Sequence, residues 1–129
     1  MKEQVFTEKG PTPKGPYSQG IITAGRQLYV AGQGPIDPAT GQVVGKTFAE
    51  QAERTFENLK AIIEAAGASM GDVVKVNVYL SDMANFKTLN EIYRRYLPEP
   101  YPARTTVQAV LPGGMIEVDA IVALPEMGR

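Results

Sequence analysis

The clearest periodic segment of the chain is residues 47–66, where apolar side chains recur at spacings of three and four residues. This spacing places them on one stripe of an α-helix. Thr47 and Glu50 fit the two positions of a capping box at the helix start, and Gly67 fits the left-handed position after its end. The stripe consists of Phe48, Ala52, Phe56, Leu59, Ile63 and Ala66.

A second helix is predicted over residues 85–97, where the apolar spacing repeats on a shorter scale. Phe86, Leu89, Tyr93 and Tyr96 fall on one stripe of this helix. Pro98 ends it, because proline does not continue a helix.

Alternating apolar and polar residues predict short strands at residues 21–23 and 27–31 and a longer strand at residues 72–80. Near the C-terminus, residues 101–121 read YPARTTVQAVLPGGMIEVDAI. Two strand-like runs there flank Leu-Pro-Gly-Gly, which is a turn signal. We therefore predict a β-hairpin in this segment.

The element order is strands, helix, strand, helix and two strands, which is typical of the α+β class. We expect a single domain over residues 1–129, with a mixed sheet and two helices packed on one of its faces. The predicted strands carry apolar residues on both faces, so the second face would be a large exposed patch. We expect copies of the chain to cover it; the alternative is a half-polar open face, which monomeric antiparallel sheets tolerate.

Composition narrows the possible chemistry. The 129 residues are 43% hydrophobic and 21% charged, which fits one globular domain, and the net charge of −1 gives little attraction to nucleic acid. The chain has no cysteine and no histidine, which excludes a disulfide, a cysteine nucleophile, a Ser-His-Asp triad and a His/Cys zinc site. No signal-peptide core or membrane-length apolar run is found, so a cytoplasmic protein is expected.

Three residues are candidates for chemistry. Arg104 at the start of a strand is either an edge arginine reaching solvent or a receptor for a carboxylate or phosphate. Glu117 is either a solvated residue or a base that positions water, and Tyr17 is either a packing residue or the wall of a pocket. The predicted hairpin puts Arg104 and Glu117 on one surface, about four strand positions or roughly 13 Å apart.

Longer motifs carry a resemblance to a known family. They are GPYSQG, VAGQGPIDPATG, NLKAIIEAAGASMGDVVKVNVYLSDM, NEIYRRYL, PARTTV and LPGGMIEVDAI, in that order along nearly the whole chain. Together they resemble the RidA (YjgF-type) family of reactive-intermediate deaminases. The resemblance implies a chorismate-mutase-like fold and a homotrimer with clefts between its subunits. It also implies hydrolysis of 2-imino acids, such as 2-iminobutanoate, or their enamine tautomers to 2-oxo acids and ammonia, without a metal or organic cofactor.

The resemblance also implies roles for individual residues. The family's arginine falls on Arg104, which would bind the substrate carboxylate, and its glutamate falls on Glu117, which would orient or deprotonate water. Its N-terminal tyrosine falls on Tyr17, which would wall the cleft. Ala31 and Gly32 match the end of the second strand and would offer backbone contacts.

Two further substrate-binding residues follow from the same comparison. The family asparagine of the second helix falls on Asn90, and Thr106 stands where many members have cysteine. Many members also have serine where this chain has Ala31, and the connection between Val107 and Glu117 is about two residues shorter than in common members. The other functions that we consider are a non-catalytic trimer that binds small carboxylates and a ribonuclease or translation inhibitor.

Overall fold

The computed structural model describes residues 2–125. The strands are β1 (Lys2–Val5), β2 (Gly20–Thr23), β3 (Gln27–Gln33), β4 (Val73–Leu80), β5 (Ala103–Gln108) and β6 (Ile116–Ala123), and the helices are α1 (Phe48–Ala65) and α2 (Phe86–Tyr96). Strands β1 and β2 form a small antiparallel sheet. The main sheet has the order β3-β6-β4-β5, in which β4 and β5 run parallel and the other neighbours are antiparallel. The predicted α+β class with a mixed sheet is therefore confirmed.

Helix α1 begins as its sequence predicts. The Glu50 amide donates to Thr47 Oγ1 at 3.2 Å, and the Thr47 amide donates to the Glu50 carboxylate at 3.2 Å. These reciprocal bonds satisfy amides that have no partner within the first turn. Gly67 follows the helix with φ of +84°, a conformation that glycine adopts without steric cost.

The predicted C-terminal hairpin is wrong. Strands β5 and β6 do not pair with each other, because β4 lies between them. The reason lies in the two side-chain patterns. On β6, Ile116, Val118, Ala120 and Val122 are all buried, which suits a central strand, whereas the more polar β5 lies at the sheet edge. The local turn signal is present, but the pairing is decided by burial of the whole strand.

The core lies between one face of the main sheet and both helices. Val76, Val78 and Val118 point from the sheet into this layer and are at most 1% exposed. Phe56 of α1 and Tyr93 of α2 meet edge to face there, with ring centroids 5.9 Å apart. We call this side of the sheet the helix face and the other side the open face.

The open face is partly apolar and partly polar. Tyr29 is 68% exposed and Val107 is 42% exposed. Between them, Asp119 accepts hydrogen bonds from Asn77 Nδ2 at 2.9 Å and from the Tyr79 hydroxyl at 3.1 Å. The side chains on this face are therefore neither uniformly apolar nor uniformly solvated.

Neither helix in the described part of the chain is both long enough and apolar enough to cross a membrane.

Candidate functional site

Arg104 lies near the start of the edge strand β5 and points to the helix face. Its position in the sheet is opposite Val76, whose side chain is in the core. Residues directly opposite each other in neighbouring strands share a face, so the guanidinium extends beneath α2. The interpretation of Arg104 as a strand-edge arginine that reaches freely into solvent is therefore wrong.

Aromatic rings surround the guanidinium. The central carbon of Arg104 lies 5.0 Å from the ring centroid of Tyr93, 5.4 Å from that of Tyr17 and 5.5 Å from that of Phe86. These distances allow cation–π attraction, in which the negative face of a ring stabilises the charge. One nitrogen, Nη1, also donates to Asn90 Oδ1 at 2.8 Å. The rings and the amide fix the orientation of the guanidinium and supply no full negative charge.

No acidic side chain among residues 2–125 forms an ion pair with Arg104. Within residues 2–125 the only ion pair joins Arg95 to Glu53, at 2.9 Å. Partial burial lowers the pKa of the Arg104 guanidinium, with a smaller lowering from the nearby Arg94 charge. Arginine nevertheless stays protonated in proteins. The fold therefore presents a fixed cation with unused donors, and such a group can bind a carboxylate or a phosphate.

Two hydroxyls on the helix face of this region lack partners. Tyr93 Oη and Thr106 Oγ1 are buried and have no hydrogen-bond partner among the described residues. Burial raises the pKa of the Tyr93 phenol, although the Arg104 charge opposes the rise, so this hydroxyl keeps its proton. Thr106 follows Arg104 by two residues and shares its face of β5. A polar ligand next to Arg104 therefore has further hydroxyl groups within the same layer.

Tyr17 is held beside Arg104 by the residue that follows it. Ser18 is buried, its hydroxyl donates to the Tyr101 carbonyl, and its amide donates to the Pro102 carbonyl at 3.0 Å. These bonds attach the loop to the outer edge of β5, where Ser18 pairs with Ala103. Tyr17 and Arg104 also help to line an open groove of about 610 Å³ on this side of the molecule.

Glu117 lies on the other face of the sheet. It is opposite Tyr79 and points to the open face, whereas Arg104 is opposite Val76 on the helix face. Their backbones are separated by two strand spacings and three residue positions, about 14 Å in all. The prediction that Arg104 and Glu117 share one surface of the same chain is therefore wrong, because it followed from the wrong hairpin register.

Gly32 lies beside Glu117 and not beside Arg104, and Ala31 precedes it in β3. They fall within an irregularity of β3 between Val30 and Gln33, where the pairing with β6 shifts. A Cβ atom on Gly32 would lie 2.5 Å from Glu117 Oε2, so the carboxylate rests directly on the glycine. Glycine leaves room for the carboxylate in this position, and its backbone angle is not one of the positive φ values.

The predicted site residues thus form two groups. One group is on the helix face and comprises Tyr17, Asn90, Arg104 and Thr106; the other is on the open face and comprises Ala31, Gly32 and Glu117. Sequence reasoning missed Phe86 and Tyr93 as neighbours of the guanidinium. Their helical spacing placed both on the apolar stripe, and Tyr93 is a core residue while Phe86 is half-buried. Spacing within α2 does not show which strand passes beneath it.

Comparisons with known proteins identify the family. The sequence profile of the family described as endoribonuclease L-PSP matches residues 7–124. A RutC family protein of Pyrococcus horikoshii is 51% identical over 123 residues, which cover 94% of this chain and 97% of the relative. A Bos taurus protein named 2-iminobutanoate/2-iminopropanoate deaminase is 40% identical over 123 residues, which cover 94% of this chain and 89% of the relative.

Solved structures agree with the sequence comparisons. The crystal structure of RidA from an Antarctic Psychrobacter species is 44% identical in sequence and superposes with a TM-score of 0.74, over 95% of this chain and 99% of that one. The resemblance read from the sequence motifs is confirmed, and the chain belongs to the RidA (YjgF-type) family, described as endoribonuclease L-PSP.

Proposed function

We propose that the chain hydrolyses small 2-imino acids, such as 2-iminobutanoate, to 2-oxo acids and ammonia. The observation that carries this proposal is the Arg104 guanidinium, which is held by three rings and an amide and has no acidic partner among residues 2–125. Such a cation matches a substrate with a fixed carboxylate. The Bos taurus relative named for this reaction supports the choice of substrate class.

The reaction needs few catalytic groups. Water adds to the carbon of the C=N bond and gives up a proton, while the imine nitrogen takes a proton from solvent. The resulting aminoalcohol releases its hydroxyl proton to solvent as its amine, protonated once more, leaves as ammonia, and the 2-oxo acid remains. In the proposed site Arg104 binds the carboxylate in a bidentate manner, and Tyr17 walls the cleft. Glu117 orients the water and accepts its proton, then returns a proton to the departing nitrogen.

Minor contacts complete the proposed site. The Asn90 amide keeps one guanidinium nitrogen occupied, so the others face the substrate. The Thr106 hydroxyl, buried without a partner among the described residues, would contact the ligand, and the backbone of Ala31 and of Gly32, on which the Glu117 carboxylate rests, would offer further contacts. No step of this scheme requires a metal or an organic cofactor.

The geometry of one chain gives the proposal a further requirement. Arg104 and Glu117 lie on opposite faces of the sheet, so a single copy does not bring both to one imine. We therefore include self-association in the proposal: a homotrimer in which each cleft takes Arg104 from one subunit and Glu117 from its neighbour. The exposed Tyr29 and Val107 on the open face favour such burial.

The first test is an assay of the unmodified protein. With 2-iminobutanoate generated in situ, we expect kcat to exceed the rate constant of spontaneous hydrolysis by about 100-fold or more, the usual contribution of a positioned acid–base group. Release of 2-oxobutanoate and ammonia in equal amounts is the measurement. A protein that binds 2-oxobutanoate in a calorimeter without accelerating hydrolysis is a carboxylate-binding protein instead, and cleavage of RNA at physiological salt would support the ribonuclease alternative.

Gly32→Ala tests the contact beneath Glu117. The added Cβ would lie only 2.5 Å from Glu117 Oε2, so we expect the carboxylate to be displaced. We expect kcat to fall about 10- to 100-fold, because misplacing a reacting group by about 1 Å costs up to about 100-fold. Affinity for 2-oxobutanoate should change little, since Arg104 is untouched. Steady-state kinetics and calorimetry measure the two effects.

Gly34→Ala is the matched control for that variant. A Cβ there meets its nearest atoms, the Ile116 carbonyl and Ile36 Cγ1, at 3.8 and 3.9 Å, which is ordinary contact. We expect activity close to that of the unmodified protein. Equal activity in the two alanine variants would contradict the role assigned to the Gly32–Glu117 contact.

A further inference from the structure

We infer that Gln51 of α1 is a positioning residue for Glu117, holding the turn that sets where the glutamate carboxylate lies. This inference rests on the proposed function, because it gives Gln51 its effect through the water that Glu117 orients. Gln51 is a polar residue on a helix whose other inward residues are mostly apolar, and it is only 6% exposed. Helical periodicity alone gives no reason for an amide at this position.

Both the oxygen and the nitrogen of the Gln51 side-chain amide form hydrogen bonds, and each bond is to a different loop. The Met115 amide donates to Gln51 Oε1 at 2.7 Å, and Gln51 Nε2 donates to the Gly45 carbonyl at 3.1 Å. Met115 precedes Glu117 by two residues, and Gly45 lies near the end of the loop that joins β3 to α1. The Gln51 side chain therefore joins the loop before β6 to the loop between β3 and α1.

The two loops are shaped around this amide by glycines. Gly45 has φ of +104°, and a Cβ there would lie 2.9 Å from Gln51 Cγ. Gly114 has φ of +78°, and a Cβ there would lie 2.7 Å from Pro35 Cγ and 3.3 Å from Gln51 Oε1. Both turns thus use the left-handed conformation and the small size of glycine to close on Gln51.

Met115 is held from its other side as well. Its carbonyl accepts from the Ser81 amide at 3.1 Å, just beyond the end of β4. The backbone of Met115 is therefore fixed between α1 and β4, and the next strand begins one residue later. Because strand residues alternate faces, a shift of this entry point moves Glu117 relative to Gly32.

Asn58 on the same helix holds the segment that follows Gly32. Its Nδ2 donates to the Gly34 carbonyl at 3.1 Å and to the Ile36 carbonyl at 2.8 Å, so the chain leaving Gly32 is also attached to α1. Gln51 and Asn58 lie seven residues apart, which is two helical turns on one side of α1. Helix α1 thus sets the relative position of the glutamate and the glycine on which it rests.

Gln51→Met tests the inference with a side chain of similar size that forms neither hydrogen bond. We expect kcat for 2-iminobutanoate to fall about 10- to 100-fold through misplacement of Glu117, while the dissociation constant for 2-oxobutanoate stays within about twofold. Thr55→Val is the matched control. It also removes a buried hydrogen bond, from Thr55 Oγ1 to the Gln51 carbonyl at 2.9 Å, but that bond joins two residues of α1 and neither loop.

Hydrogen exchange supplies a readout that does not depend on turnover. In Gln51→Met, amides of residues 113–117 should exchange at least about tenfold faster than in Thr55→Val, since the Met115 amide loses its partner. If the two variants match in either kcat or exchange at these residues, the positioning role is overturned. If the unmodified protein hydrolyses no imine, the proposed function and this role fall together, whereas an active protein with a fully active Gln51→Met variant overturns this role alone.

Discussion

Replacing Arg104 by methionine is expected to lower kcat/KM for 2-iminobutanoate about 100- to 10,000-fold, because each of two hydrogen bonds between charged groups contributes about 1.5–3 kcal/mol. Methionine keeps the length of the side chain and packs well against aromatic rings. It removes the charge that would bind the substrate carboxylate. The measurement is steady-state kinetics, together with calorimetric titration of 2-oxobutanoate.

The same variant should not be less stable. Arg104 is a partly buried cation with ring and amide contacts and no acidic partner among the described residues, so the folded state gains little from its charge. We expect the thermal midpoint of Arg104→Met to be equal to or above that of the unmodified protein. A loss of activity without a loss of stability separates a binding role from a structural one.

Two further variants make this test specific. Arg104→Lys keeps the charge but loses the planar fork, so its activity should lie between those of the arginine and methionine proteins. Arg26→Met removes an exposed arginine on the loop between β2 and β3 and changes the net charge by the same amount. We expect it to be fully active. If Arg104→Met retains more than about a tenth of the activity in an intact oligomer, carboxylate binding by Arg104 is rejected.

Much of the fold follows from local patterns in the sequence. The α1 stripe and its capping box predict the helix and its start, since both depend on residues within a few turns of each other. The predicted C-terminal hairpin depends on residues outside the local segment. Leu-Pro-Gly-Gly does reverse the chain direction, but nothing within residues 101–121 shows that β4 would lie between the two strands. Pairing between strands distant in sequence depends on burial across the whole sheet.

In the candidate site, too, single residues could be predicted from local patterns and their spatial grouping could not. Arg104, Glu117 and Tyr17 stand out because charged or aromatic residues interrupt a strand or loop pattern. Their grouping could not be predicted, because the register in which each strand pairs with β4 decides the face to which its residues point. Gln51 was missed for a similar reason: its amide joins loops that are distant in sequence. Side chains that join distant segments leave no short motif.

Mixing two inactive variants is expected to restore activity. Arg104→Met subunits keep Glu117, and Glu117→Gln subunits keep Arg104, so a cleft shared between subunits can receive one intact residue from each. After the two proteins are unfolded and refolded together in equal amounts, about one quarter of such clefts contain both residues, as random assembly of a closed ring predicts. The measurement is 2-iminobutanoate hydrolysis per subunit, which should rise to about a quarter of the unmodified value.

A double variant, Arg104→Met with Glu117→Gln, distinguishes shared sites from sites within one chain. Mixed equally with the unmodified protein, it should leave about one quarter of the activity if each site draws on two subunits and about one half if each site lies within one. Mixed with Arg104→Met alone, it should give none, because no arginine is present at any site. If activity does not return in the mixture of the two single variants, even after longer refolding, the shared site is contradicted. Because Arg104 and Glu117 lie on opposite faces of the sheet, the two residues then could not act on one substrate.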